Sequence, residues 1–146
     1  MPLVSTADQE RLRESFTDLK RPVRLLFFTQ ALGCETCLET RQILDELPPL
    51  SDKITIEEVN FVLDGERVAQ YGIDRVPAIA VAYEEDGSVQ DSRIRFLGAP
   101  AGYEFISLVQ AVLLVGGAGS ILSADNRAKV EAAGHPIVMR VFTTPT

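Results

Sequence analysis

The chain has 146 residues, 46% of them hydrophobic and 24% charged, with a formal net charge of −7 and a pI near 4.7. That length supports one well-buried domain with an appendage rather than two ordinary domains, and the acidic balance speaks against nucleic acid or an anionic membrane as partner, since both demand a positive surface. No apolar run reaches 18 residues and the N-terminus turns charged too early for a signal peptide, so a cytoplasmic protein is expected.

Ala7 to Lys20 carries Leu12, Phe16 and Leu19 at helical spacing, with Ser5 or Thr6 placed as its cap and Pro22 as its stop, and predicts a first amphipathic helix. Val23 to Thr29 (VRLLFFT) is a short run rich in strand formers and suits a central strand buried on both faces. Glu35 to Leu47 reads as a helix stopped by Pro48-Pro49, and Ile54 to Phe61 as a second strand. Asp64 to Tyr71 is a short helix with an Asp cap and Gly72 as its end. Ala78 to Tyr83 and Ser92 to Leu97 flank Asp86-Gly87, a hairpin signal. Pro100 opens a last helix with Phe105, Leu108, Val109, Val112 and Val115 on one side, ended by Gly116-Gly117. Parallel strands need crossover helices and the last two strands share a tight turn, so the class is α/β with a mixed sheet carrying an antiparallel hairpin at one edge.

The only two cysteines, Cys34 and Cys37, stand as Cys34-Glu35-Thr36-Cys37 between the first strand and the second helix. On the first turn of a helix, positions i and i+3 face the same way and can close a small disulfide. The N-terminal thiol would lie at the positive end of the helix dipole, an environment that pulls a thiol pKa from about 8.5 toward roughly 7 or lower. Two cysteines placed so, rather than far apart, read as a catalytic dithiol and not as a structural staple. A zinc or iron–sulfur site would need four good ligands, and beyond the two cysteines the chain offers only His135, in a remote loop. No histidine lies near Cys34, so a Cys–His hydrolase lacks its base. Gly116-Gly117-Ala118-Gly119 follows a helix rather than a strand and reads as a linker, not a phosphate loop.

A CxxC at the first strand-to-helix junction of this element order resembles the thioredoxin fold. Pro77, in Tyr71-Gly72-Ile73-Asp74-Arg75-Val76-Pro77-Ala78, looks like the cis-proline that faces the dithiol in that family. The resemblance implies that Val76 offers its backbone to substrate; the alternative is a plain strand-opening proline. More narrowly, Arg75 to Ala78, Phe96 to Phe105 and the extra N-terminal helix are similar to the first unit of the glutaredoxin-like protein disulfide oxidoreductases, which are tandem thioredoxin-fold proteins. Where thioredoxins proper carry Trp before the first cysteine and a buried Asp six residues upstream, this chain has Gly33 and Phe28. Another proton acceptor for Cys37 is then needed, or water. Glu57 or Glu58, mid-strand in an apolar segment, should point inward, and analogy with thioredoxin favours Glu58; the alternative is a strand edge where both reach solvent.

Pro22 to Thr29 recurs in pattern as Pro136 to Thr143, offset by 114 positions, behind a helix-like stretch from Ala124 to Ala133 capped by Ser123. Residues 1–116 thus read as one thioredoxin-like domain, 117–120 as a junction, and 121–146 as the opening helix and strand of a second, truncated unit. The same offset would put the next CxxC at position 148, so the chain is expected to be either a fragment of a longer protein or one that has lost its second half. The strand-like segment is expected to seek pairing, with its own sheet or with a second copy in a homodimer.

The activity expected is thiol–disulfide exchange: Cys34 attacks, a mixed disulfide forms, and Cys37 resolves it, with no cofactor beyond the dithiol. The family likeness implies protein disulfides as substrates, a peroxiredoxin among them, and a thioredoxin-reductase-type flavoenzyme as electron donor. The rival readings are a redox-inert interaction or dimerisation module and a reductase dedicated to one peroxiredoxin. Potentials of such dithiols range from about −270 to −120 mV. Glu35, beside the nucleophile, should disfavour the thiolate and push toward the reducing end.

Overall fold

A computed structural model of the chain describes residues 2–144. Helix α1 (Thr6–Phe16) is capped by Ser5, whose hydroxyl accepts from the Asp8 N–H at 3.2 Å. It ends earlier than its apolar spacing suggested, because Asp18 and Leu19 bond three residues back to Ser15 and Phe16 and tighten the last turn. That turn delivers Leu19 to the core beside Phe16.

Strand β1 (Val23–Thr29) keeps the bounds read from its sequence. Helix α2 (Cys37–Asp45) is shorter than expected and is followed by a 3-10 turn at Pro48–Leu50. Strand β2 (Ile54–Asn60), helix α3 (Gly65–Gln70), strands β3 (Ala78–Glu85) and β4 (Ser88–Leu97), and helices α4 (Tyr103–Val115) and α5 (Ala124–Glu131) complete the order. The sheet runs β2-β1-β3-β4, with β1 and β2 parallel and the other pairs antiparallel. This is the mixed thioredoxin-like sheet expected. Asp86 and Gly87 both take positive φ, 51° and 78°, the turn geometry that matches strand twist.

Two apolar layers explain why β1 reads as a continuous apolar run. Val23, Leu25 and Phe27 join Ile54, Ile79, Val81, Leu108 and Val112 on one face, under α1, α2 and α4. Leu26 and Phe28 join Val59, Tyr71, Ile73 and the small residues Ala78, Ala80 and Ala82 on the other. Charge borders the second layer. Arg24 bonds Glu57 at 3.2 Å and Glu84 at 2.5 Å, and Arg67 bonds Glu57 at 2.9 Å.

The C-terminal segment corrects one expectation. Helix α5 forms with Ser123 as its cap, as read, but residues 121–144 are exposed, α5 buries none of its side chains, and residues 136–144 form no strand. The apolar side chains of Ile137, Val138, Met139, Val141 and Phe142 stand open. A strand with two apolar faces needs a sheet interior, and β1 already fills that place here.

Gly116 locks this arrangement at the end of α4. Its carbonyl accepts from the Lys20 and Arg21 N–H groups at 2.8 and 3.3 Å, just ahead of β1. A Cβ there would collide with Leu19 Cδ2 and lie 3.0 Å from the Val112 carbonyl. Gly116→Ala is expected to cost about 1–3 kcal/mol through overpacking; an unchanged denaturation midpoint would show that Leu19 can move aside.

The Arg67 hydrogen bond, reinforced by Arg24, holds the Glu57 carboxyl below its ordinary value of 4.5 against the opposing effect of partial burial. A depressed folded-state value means the stabilisation is fully present above the unfolded pKa and is lost as pH falls through the folded one. Glu57→Gln should therefore cost about 1 kcal/mol or less at pH 7 and flatten the fall in Tm below about pH 4.5. Parallel acid curves for variant and parent would rule the network out as the cause.

Candidate active site

Strand register brings the site together. Phe28 of β1 pairs with Ala78 of β3, and Ala78 pairs with Leu97 of β4, so the loop leaving β1 and the Val76-Pro77 approach to β3 share one end of the sheet. β2 runs parallel to β1 and ends there too, with the Phe61 N–H bonded to the Thr29 carbonyl at 2.8 Å. The loop from residue 30 to 36 is pinned where Gln30 Nε2 donates to the Leu32 carbonyl, at 2.8 Å, and turns through Gly33 at φ +72°.

Cys34 and Cys37 are joined as a disulfide, with Cα atoms 5.5 Å apart, inside the ordinary range. The helix begins at Cys37 rather than at Glu35. Thr36 is its N-cap with φ −107° and ψ 7°, so Cys34 lies in the turn ahead of α2 and not on its first turn. Cys34 still sits at the positive end of α2, where the helix dipole favours a thiolate. The two sulfurs differ in access: Cys37 is 6% exposed and belongs to the main core, while Cys34 is half-buried and packs at its edge.

The Val76–Pro77 bond is cis. Pro77 is buried and its carbonyl accepts from the Gly98 N–H at 2.9 Å. Val76 is half-buried and packs against both core layers. Next to it, Arg75 bonds Asp74 at 2.9 Å and holds that carboxyl below its usual range.

Of the two placements open to Glu57 and Glu58, inward or at a solvent-reaching edge, the structure has the edge. β2 is an edge strand, so neither glutamate is buried. Register puts Glu58 opposite Phe27, on the face that holds Cys37, but its side chain is exposed and bonded to Arg41 of α2. Glu57 faces the other layer. Phe28, at the position where thioredoxins carry a buried acid, is itself fully buried and stacks on Tyr71 at 5.9 Å, tilted by 58°. Among the described residues the one buried polar or charged side chain is Thr40.

Two features escaped the sequence reading. Leu32, Leu38, Val62 and Leu63 are 69–86% exposed at the dithiol end of the sheet, an apolar collar on loops and the first turn of α2. Thr40 falls between Cys37 and Leu44 on the buried face of α2, and its polar side chain on an apolar stripe was the available signal. No group of three or more His, Cys, Asp or Glu among the described residues could hold a metal ion, and no helix there is long and apolar enough to cross a membrane.

No family model matches the chain. It is 30% identical over 88 residues to the "Probable Thioredoxin" of Methanothermobacter marburgensis, spanning 60% of this chain and 92% of that protein. Its counterpart in Methanothermobacter thermautotrophicus is 30% identical over 77 residues, 52% of this chain and 80% of that protein. Among solved structures, the NTD_N/C domain of alkylhydroperoxide reductase AhpF from Enterococcus faecalis superposes with a TM-score of 0.77 at 30% identity, over 87% of this chain and 59% of that one. A protein disulfide oxidoreductase from Aeropyrum pernix, at 22% identity and a TM-score of 0.71 over 88% of this chain and 54% of that one, shares the fold. The chain thus spans little more than half the length of either structure. With a dithiol closed at the end of β1 and curated thioredoxins matched over most of their length, the chain belongs to the thioredoxin family and is a thiol–disulfide oxidoreductase.

Proposed function

We propose that Cys34 is the attacking thiolate and Cys37 the resolving thiol in the reduction of protein disulfides. The observation that carries the assignment is their unequal access, Cys34 at the core's edge ahead of α2 and Cys37 beneath it. The Cys34 thiolate attacks one sulfur of the substrate disulfide, forming a mixed disulfide and releasing the other sulfur as a thiolate. Cys37 then loses its proton and attacks the Cys34 sulfur, which closes the Cys34–Cys37 bond and releases the second substrate thiolate. Two electrons pass from the dithiol to the substrate. With no buried carboxylate among the described residues, the Cys37 proton passes to water, and Glu58, tied to Arg41 at the surface, is not given the role of a buried base.

A polypeptide substrate suits the apolar collar of Leu32, Leu38, Val62 and Leu63, with the Val76 backbone and Pro77 as its docking edge. The likeness to an alkylhydroperoxide reductase domain supports a peroxiredoxin as client, and the family supports a thioredoxin-reductase-type flavoenzyme as donor. A catalytic dithiol is suited to the reducing cytoplasm. Residues 1–116 are the catalytic unit in this reading, and 121–146 the opening of a second thioredoxin-like unit. Where no such unit follows, pairing with a second copy would cover the same apolar segment.

Cys34→Ser should abolish disulfide reduction, while Cys37→Ser should accumulate a mixed disulfide visible as a reducible mass adduct. Faster alkylation of Cys37 than of Cys34 at pH 7 in the reduced protein would reverse the assignment.

Deleting residues 121–146 should leave a folded, active monomer, because that segment lends nothing to either core layer. Sedimentation and an insulin-reduction assay check this, and loss of folding or activity would place the segment in the first domain.

A further inference from the structure

Thr40 is fully buried, on the face of α2 that meets the main core. Its hydroxyl donates to the Thr36 carbonyl at 2.8 Å, and its own backbone N–H donates to the same oxygen at 2.9 Å. A helical Thr bonding four residues back is common and by itself satisfies a buried hydroxyl. Here the acceptor lies inside the ring that the disulfide closes, on the peptide between Thr36 and Cys37. Thr36, the N-cap, makes no side-chain capping bond of its own, so the start of the helix is held by these two donors from Thr40. The hydroxyl thus links the core directly to the segment that spaces the two sulfurs.

We propose that Thr40 is a positioning residue of the dithiol, whose hydroxyl restrains the Cys34–Cys37 turn in the reduced protein and so favours closure of the disulfide. The inference rests on the redox role assigned to that pair. When the bond opens, the turn gains freedom and the sulfurs separate. A restraint anchored in the core keeps them near one another and raises their effective concentration. The backbone bond from Thr40 survives replacement of the hydroxyl, so the effect at stake is the increment from one side-chain hydrogen bond, about three- to tenfold in an equilibrium constant.

The test is the equilibrium in which the protein dithiol and glutathione disulfide exchange to the protein disulfide and two glutathione thiols. It is read by alkylation and mass for the whole chain, for Thr40→Val and for Thr40→Ser. Thr40→Val keeps the shape and loses the donor, and should lower the constant about three- to tenfold, while Thr40→Ser should keep the parent value. Thermal unfolding of the oxidised proteins, run alongside, reports any purely structural cost. A constant unchanged in Thr40→Val, whatever its Tm, overturns the proposal, as does an equal fall in Thr40→Val and Thr40→Ser. Should Thr40→Val not fold, Thr40→Ala is compared with Thr40→Ser under the same criteria. A parent protein with no reversible equilibrium would sink the redox reading of Cys34 and Cys37 as well; a parent equilibrium insensitive to the hydroxyl sinks only the role of Thr40.

Discussion

Everything at the site depends on β1 being held in one register between two neighbours. Its apolar residues fill both layers, with Leu25 and Phe27 on one side and Leu26 and Phe28 on the other, all essentially without exposure. Burying each of these side chains contributes about 1.5–3 kcal/mol, yet that gain barely distinguishes one register from the next, since a shift by one residue would exchange apolar for apolar. Arg24 breaks the degeneracy. It lies on the second face, where Glu57 of β2 and Glu84 of β3 meet it from both sides. A slip by one residue would turn the guanidinium into the layer of Phe16, Leu19 and Leu108, where an unpaired charge is strongly disfavoured. The register so selected sets Phe28 against Ala78, and with it the CxxC loop beside Pro77.

The features legible in the sequence were those decided by near neighbours. The bounds of β1, the Ser5 and Asp64 caps, the Asp86-Gly87 turn and the stop at Gly116 each follow from a few adjacent residues, and the structure has all of them. The order of strands in the sheet is not local. The apolar residues of Ile54 to Phe61 predict a strand but do not say whether it lies inside the sheet, with a glutamate turned inward, or at its edge. As an edge strand it can carry Glu57 and Glu58 at its border, satisfied by arginines 10 to 33 residues away in sequence. No periodicity could have joined those partners. Thr40 was legible in principle, as a hydroxyl on the Cys37, Leu44 stripe, but spacing alone does not say whether such a group is buried.

The pair of cysteines is asymmetric for reasons of packing and dipole together. Cys37 opens α2 and is drawn under the core by Ile43 and Leu44 further along the helix and by Leu47 just past its end, while Gly33 lets the chain turn so that Cys34 stays at the rim. The helix dipole favours negative charge at that rim, and Glu35 opposes it from the adjacent position. Phe28 takes the place where a buried acid would stand in other thioredoxins and packs against Tyr71. The second layer thereby becomes more apolar beneath the strand and sends its charges to the periphery, where Arg67 and Arg95 flank the Tyr71 ring at 5.9 and 5.5 Å. Apolar packing thus fills the position of an internal acid, and among the described residues no carboxylate is buried near Cys37.

The C-terminal segment shows the difference between satisfying local rules and having a place in a fold. Helix α5 has a sound cap and an Arg127–Glu131 pair one turn apart, yet its eight residues bury nothing, and a helix of that length alone in water is marginal. Beyond it, five apolar side chains stand exposed within six residues, on both faces of what would be a strand. Neither open border of this sheet would satisfy such a strand. β4 borders with a bulge and with Arg93 at φ +68°, and β2 borders with its glutamates. Placement at either edge would pair one side of the backbone and leave the other open. The spread of apolar residues over both faces is the pattern of β1 itself, the strand that fills the middle of this sheet.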